Sequence, residues 1–292
     1  MIRAQALDRL FYPGLLFAWS LAMIGMHADY RFLRRPPPGM GSARIEPRRA
    51  IRERGIIRAT IDELTKALDT ERNETRRMHI AHNLGVAYYD MHSVASKEHF
   101  LDSSQRYFKR SIEDEPSIAR FYYNLGRTHT ARGRHKEAKT SYEKAVRIDP
   151  EHILAIHNLG LVNYFELHRP VIARKYFEKL LLINAELPVC NYVLGEIALD
   201  KGENRKALQL FMREVEIFDR LIRKPLGLPM AKTTLRYAAA TSCLRAAVLF
   251  AERFDDVSNA RKAFASYVRL ETDYERRRKA IARMKRFGVI AR

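Results

Sequence analysis

One short pattern limits this 292-residue chain more than any other: the dipeptide Leu-Gly returns at 84–85, 125–126, 159–160 and 194–195. The spacings between the glycines are 41, 34 and 35 residues. A fixed period in this range marks a chain built from stacked supersecondary units. Such a unit cannot bury its apolar face alone, so neighbouring units must pack side by side to make a continuous core.

The stretch 119–152 shows how one unit is built. Its first half, ARFYYNLGRTHTARG, has apolar or small residues at helical spacing and stops at Gly133, a residue suited to ending a helix. Its second half, RHKEAKTSYEKAVRIDP, starts another helix and stops at Pro150, whose ring cannot continue one. Leu125, Gly126, Ala138, Tyr142 and Ala145 then fall where two antiparallel helices must meet.

Together with Tyr122 and Pro150, these residues stand at the signature spacing of the tetratricopeptide repeat family, which the unit resembles. Three more units follow the same scheme less closely. Residues 78–118 keep Leu84, Gly85, Tyr88, Phe108 and Pro116, with Ser104 in place of alanine and seven extra residues around HSVASKE. Residues 153–187 keep Leu159 and Gly160, with Ala173 and Phe177 displaced by one residue. Residues 188–221 keep Leu194, Gly195, Ala207 and Phe211. A degenerate fifth unit uses Ala260, Phe264 and Leu270, and 47–70 reads as one more helix stacked in front. The resemblance covers about 78–272, two thirds of the chain. It implies an all-α fold, an α-solenoid of antiparallel helix pairs. The glycines are expected where each first helix crosses its partner, with the preceding leucines in the interhelical core.

The N-terminus carries a second signal. Leu10 to Met26 is a run of seventeen residues without a charge, at the lower limit for crossing a hydrocarbon core. A single transmembrane helix is the preferred reading, with a cleaved signal peptide as the alternative. Arg3 and Arg9 precede the run, whereas Arg31, Arg34, Arg35, Arg44, Arg48 and Arg49 follow it. The richer side stays in the cytoplasm, which places the repeats there. The expected organisation is 1–30 anchor or signal segment, 31–46 Pro/Gly/Arg linker, 47–275 repeats numbering four to five, and 276–292 basic tail.

The formal net charge of +19 is unevenly placed. Residues 31–58 hold nine Arg against two Glu, and residues 276–292 hold eight basic residues and no acid, so the long middle is nearly balanced. A protein that coats nucleic acid would want a basic groove, so nucleic acid is not the expected partner. Anionic lipid at the basic flanks is a further candidate partner. In the tail, Ile281, Met284 and Phe287 recur near three-residue spacing between basic residues, as in a helix lying on lipid.

No phosphate-binding loop, serine-nucleophile elbow or zinc-protease motif occurs, and the two cysteines, Cys190 and Cys243, form no metal-binding pattern. No enzyme, cofactor or metal is implied. What the resemblance implies instead is a concave face lined by the first helices that receives a peptide or helix of another protein. Carried over position by position, that face holds His82, Asn83, Arg120, Tyr123, Asn124, Arg127, His157, Asn158 and Tyr192. Asparagine side chains can hold a peptide backbone by donating and accepting together, though they can equally bond within the array. The two arginines suit a carboxylate. The expected function is a membrane-anchored scaffold for protein–protein interaction. An exported periplasmic repeat protein and a nucleic-acid-binding repeat protein are the alternatives.

Overall fold

The computed structural model describes residues 47–223 and 232–291, and all its secondary structure there is helical. The described helices divide into two compact units between Arg169 and Pro170. The uncharged N-terminal run and the linker lie outside the described residues. Among the described residues no helix is long and apolar enough to cross a membrane.

The first unit opens with α1 (Pro47–Thr70), whose Ile57, Ile61, Leu64 and Leu68 recur at helical spacing and are buried. They pack against α2 (Glu74–Ala95), which begins where the Asn73 side chain accepts from the backbone N–H of Arg76. The chain continues through α3 (Glu98–Asp114), α4 (Ala119–Ala131), α5 (His135–Ile148) and α6 (Ile153–Leu161). Each packs on its neighbour in sequence. The 41-residue spacing is explained by α2, which at 22 residues far exceeds the 13 of α4. The extra residues lengthen the first helix, which ends in a left-handed Ser96.

Between α4 and α5 the chain reverses at Gly133, whose φ is +72°. There the N–H of Arg134 donates to the carbonyl of His129 and that of Gly133 to Thr130, so the last carbonyls of α4 are satisfied. Glycine takes this left-handed backbone without steric cost.

The helix crossings match the expectation at three of the four glycines. A Cβ placed on Gly85 would lie 2.6 Å from the Phe108 ring. The same distance separates a Cβ on Gly126 from the Tyr142 ring, and one on Gly195 from the Phe211 ring. Each ring of a second helix therefore rests on the bare backbone of the first. Ala138 and Ala145 flank Tyr142 without any exposure, and Leu84, Leu159 and Leu194 are buried. Leu125 is a correction: it is only half-buried, and the neighbouring Gly126 crossing is filled by the Tyr142 ring.

The one-residue displacement in 153–187 also has a structural cause. After α6 the helix continues as a π-helical turn, Val162–Glu166, closed by Leu167 N–H donating to the Val162 carbonyl. A π turn accommodates one residue more than an α turn. It is consistent with this that the second-helix signature begins one residue late.

The second unit holds α7 (Pro170–Ile183), α8 (Cys190–Asp200), α9 (Asn204–Arg223), α10 (Lys232–Arg253), α11 (Val257–Leu270) and α12 (Tyr274–Arg286). Ala260 and Phe264 are buried against α10, as the degenerate fifth repeat required. The basic tail forms α12, capped by Asp273. Its apolar side is already occupied: Ala280, Met284 and Val289 join Phe264, Tyr267 and Ala247 in one core cluster. The apolar stripe that resembled a lipid-facing helix is turned inward, and the exposed side carries Arg278, Lys279, Lys285 and Arg286.

Candidate functional site

The polar residues of the first helices of the first unit form a connected row rather than separate rungs. It begins with His82 on α2, whose ring is buried against Phe108 and Phe121 with ring centroids 5.6 and 4.8 Å away. Burial, reinforced by the charge of Arg120, pulls this imidazole down to about 3, so it is neutral near pH 7. A neutral imidazole has one nitrogen free to accept. The amide nitrogen of Asn124 on α4 donates to Nε2 of His82 at 2.8 Å, while Nδ1 of His82 lies 3.4 Å from the Asn83 side-chain oxygen.

With its nitrogen committed to His82, Asn124 turns its oxygen the other way. That oxygen accepts from Nη1 of Arg127 at 3.1 Å, one turn along α4. The Arg127 guanidinium is only 6% exposed and sits over the Tyr89 ring at 4.2 Å, with the Tyr123 ring at 5.9 Å. Desolvation opposes its charged form, while Tyr89, Tyr123 and Asp90 favour it and together win. Among the described residues its Nη2 has no hydrogen-bond partner, and the buried carboxylate of Asp90 acts on its charge. Seven residues before Arg127 on the same helix face, Arg120 is exposed, and its Nη2 lies 2.8 Å from Nδ1 of His79.

Of the nine residues expected on the concave face, the structure joins His82, Asn83, Asn124 and Arg127 through hydrogen bonds and Tyr123 through the Arg127 stack. Arg120 stands on the same helix as Arg127 and contacts His79 of α2. Asn158 donates to the Tyr142 hydroxyl at 3.3 Å, so its amide serves the array. Burial holds the half-buried His157 down to about 4. Tyr192 belongs to the second unit, where its ring is buried 6.5 Å from that of Phe211. Asn124 and Arg127 are thus buried parts of a network, and Asn124 acts by orienting Arg127.

The sequence reading passed over a buried acid in the second unit. Glu214 of α9 is 1% exposed, and its carboxylate accepts from the backbone N–H groups of Val189 at 2.6 Å and Tyr192 at 3.3 Å. It caps the start of α8 from a neighbouring helix, where Val189 has a left-handed φ of +72° and supplies no cap of its own. Burial raises this carboxyl to about 7, although the N–H groups pull the other way. The available signal was positional: three residues after the crossing aromatic, where Glu214 follows Phe211, the other units have Ser111 and Ala145. Ser111 also serves a neighbouring first helix, donating to the Met78 carbonyl at 3.3 Å.

In the same unit Glu196 of α8 holds Arg245 of α10 in a two-pronged ion pair, at 2.7 and 2.8 Å. Among the described residues no group of three or more acidic, histidine or cysteine side chains is placed to hold a metal.

Comparison with known proteins agrees with this architecture. The tetratricopeptide repeat family model matches residues 119–152, the unit with the Gly126–Tyr142 crossing. Anaphase-promoting complex subunit 3 of Schizosaccharomyces pombe is 29% identical over 108 residues, covering 37% of this chain and 16% of that protein. Tetratricopeptide repeat-containing protein trd-1 of Caenorhabditis elegans is 26% identical over 190 residues, covering 64% of this chain and 23% of that protein. The chain therefore spans less than a quarter of the length of these two relatives. Among solved structures, a chain of the APC/C hetero-tetramer Cut9-Hcn1 aligns with a TM-score of 0.57 at 17% identity, over 94% of this chain and 48% of that one. A structure from the functional characterization of Pseudomonas aeruginosa pilF aligns with a TM-score of 0.53 at 19% identity, over 80% of this chain and 99% of that one. At these identities the likeness is one of fold.

Proposed function

Taking the chain as a tetratricopeptide repeat protein, a fold that serves as a protein–protein interaction scaffold, we propose that it holds a segment of another protein along α2, α4 and α6 of its first unit. The observation that carries this reading is the row from His82 through Asn124 to Arg127. Burying a charged guanidinium whose Nη2 is left without a hydrogen-bond partner among the described residues costs stability that an apolar residue there would not. Such a cost is commonly met where a site must receive a partner. The fission-yeast relative is a subunit of the anaphase-promoting complex, which supports an assembly role for repeats of this kind.

The same proposal includes tethering. The uncharged run from Leu10 to Met26, with the denser arginines after it, supports a single membrane anchor with the repeats on the cytoplasmic side. Nothing in the fold of residues 47–291 depends on this part of the reading.

The experiment is site-specific photo-crosslinking in membranes that contain the full chain. A crosslinker at position 83 or 158 should capture a discrete partner band, and one at Lys139, on a second helix and ion-paired with Glu143, should not. Equal capture from all three positions removes the groove reading. Release of the protein by alkaline extraction removes the anchor reading while leaving the groove reading intact.

A further inference from the structure

At three helix crossings a ring fills the place where a glycine lacks a side chain: a Cβ on Gly85, Gly126 or Gly195 would lie 2.6 Å from a ring of the facing helix. Gly55, inside α1, has no such occupant. It is exposed, and a Cβ built on it would meet nothing within 4 Å. Glycine in a helix interior is unfavourable relative to alanine, and no contact among the described residues requires it there. What it leaves is bare backbone on the outer side of α1. With 3.6 residues per turn, Gly55 and the exposed Ala59 straddle the direction opposite the buried Ile57. Ile51 and Ile56, 67% and 42% exposed, stand on either side of this pair.

The exposed charges of α1 change sign along the helix. Arg52, Arg54 and Arg58 lie in its first half, and Asp62, Glu63 and Asp69 in its second, where Lys66 is the exception. A helix charged in this way repels a parallel copy of itself and attracts an antiparallel one. We propose that the outer face of α1 packs on the same face of a second copy of this chain, antiparallel about a twofold axis level with residue 57. Gly55 then comes opposite Ala59 of the second copy, and their small size lets the two backbones approach closely. Arg52 comes within one residue of Glu63 of the second copy, twice by symmetry, and the two Ile56 side chains meet across the axis. An anionic membrane is the lesser fit to this face, because Asp62 and Glu63 would meet its headgroups. A pair of single helices buries less than a standard interface, so the association belongs in the micromolar range. The contact uses no residue of the row from His82 to Arg127, so it stands or falls separately from the groove.

The test is sedimentation of the full chain in detergent micelles at about 1 to 100 μM. The parent should pass from monomer to dimer across this range, and a monomer throughout overturns the contact. Gly55→Leu should weaken the dimer by about tenfold or more. Its thermal melt should not fall, because the added side chain meets open space within one chain. Arg52→Glu and Glu63→Arg should each weaken the dimer about tenfold, and the two combined should restore it, since each pair is then reversed rather than broken. Both residues are exposed, so these reversals keep the fold and decide the matter even if Gly55→Leu melts early. A dimer that folded Gly55→Leu leaves intact is formed by another surface and overturns the assignment to α1. Charge reversals without effect, or single losses that the double variant does not recover, overturn the antiparallel arrangement.

Discussion

The Tyr142 ring lies directly on the backbone of Gly126, so that a Cβ at position 126 would come within 2.6 Å of Cε1 of the ring. Tyr142 is 1% exposed, packed by Ala138 and Ala145, and its hydroxyl lies 3.1 Å from that of Thr130. The ring has nowhere to retreat. Gly126→Ala should therefore destabilise the protein by about 1–3 kcal/mol through overpacking, although alanine in a helix interior is otherwise favoured by up to ~1 kcal/mol. Gly126→Leu should cost more. Thermal melts followed by circular dichroism check this, and a transition as high as the parent's for both variants refutes the crossing.

Asn124 is placed between two groups that need it. Asn124→Ala leaves the Nε2 acceptor of His82 and the Nη1 donors of Arg127 without their protein partner. Stranding a buried polar group costs roughly 1–3 kcal/mol. Because both Asn124 and Arg127 are buried, the double alanine variant should lower the melting temperature as well as partner capture, and the two effects have to be measured side by side. Lys139→Ala, which removes only a half-buried pair with Glu143 one turn along the same helix, should change stability by less than ~0.5 kcal/mol.

Glu214 gives a pH dependence with a definite sign. Burial raises its carboxyl from the ordinary 4.5 to about 7 in the folded protein. Between those values the folded state binds more protons than the unfolded state, so stability falls as pH rises through the window and stays lower above it. Glu214→Gln keeps an oxygen to accept from Val189 and Tyr192 but carries no charge. The variant should gain stability relative to the parent as pH rises from about 5 to 8, by on the order of 3 kcal/mol at most. Denaturant midpoints at the two ends of this range check it, and a difference that does not change with pH rules it out.

The C-terminal helix supports a fourth expectation. Met284 has no exposure and shares a core with Phe264 and Tyr267, so Met284→Ala should cost about 2–5 kcal/mol. Arg278→Gln, on the exposed side, should stay within ~0.5 kcal/mol. A helix held only by lipid would show no loss for Met284→Ala in detergent-free melts of the protein.

The sequence by itself determined what local chemistry and a period can determine. The Leu-Gly spacing announced paired helices. Gly133 and Pro150 marked where helices end, because each restricts the backbone within its own turn. The aromatic after each glycine was legible too, since bare backbone and ring must meet for two helices to cross closely. Tertiary structure decided everything that depends on neighbours brought together across a loop. The helical pattern alone does not say that the stripe of Met284 faces Phe264 rather than a membrane, because an apolar face reads the same against either. The pattern also does not show that Asn124 spends both ends of its amide on His82 and Arg127, which lie on two helices, one of them 42 residues away in sequence. And it does not reveal Glu214 as the cap of α8, because that carboxylate reaches backbone N–H groups more than twenty residues earlier, and only packing brings them within 2.6 and 3.3 Å.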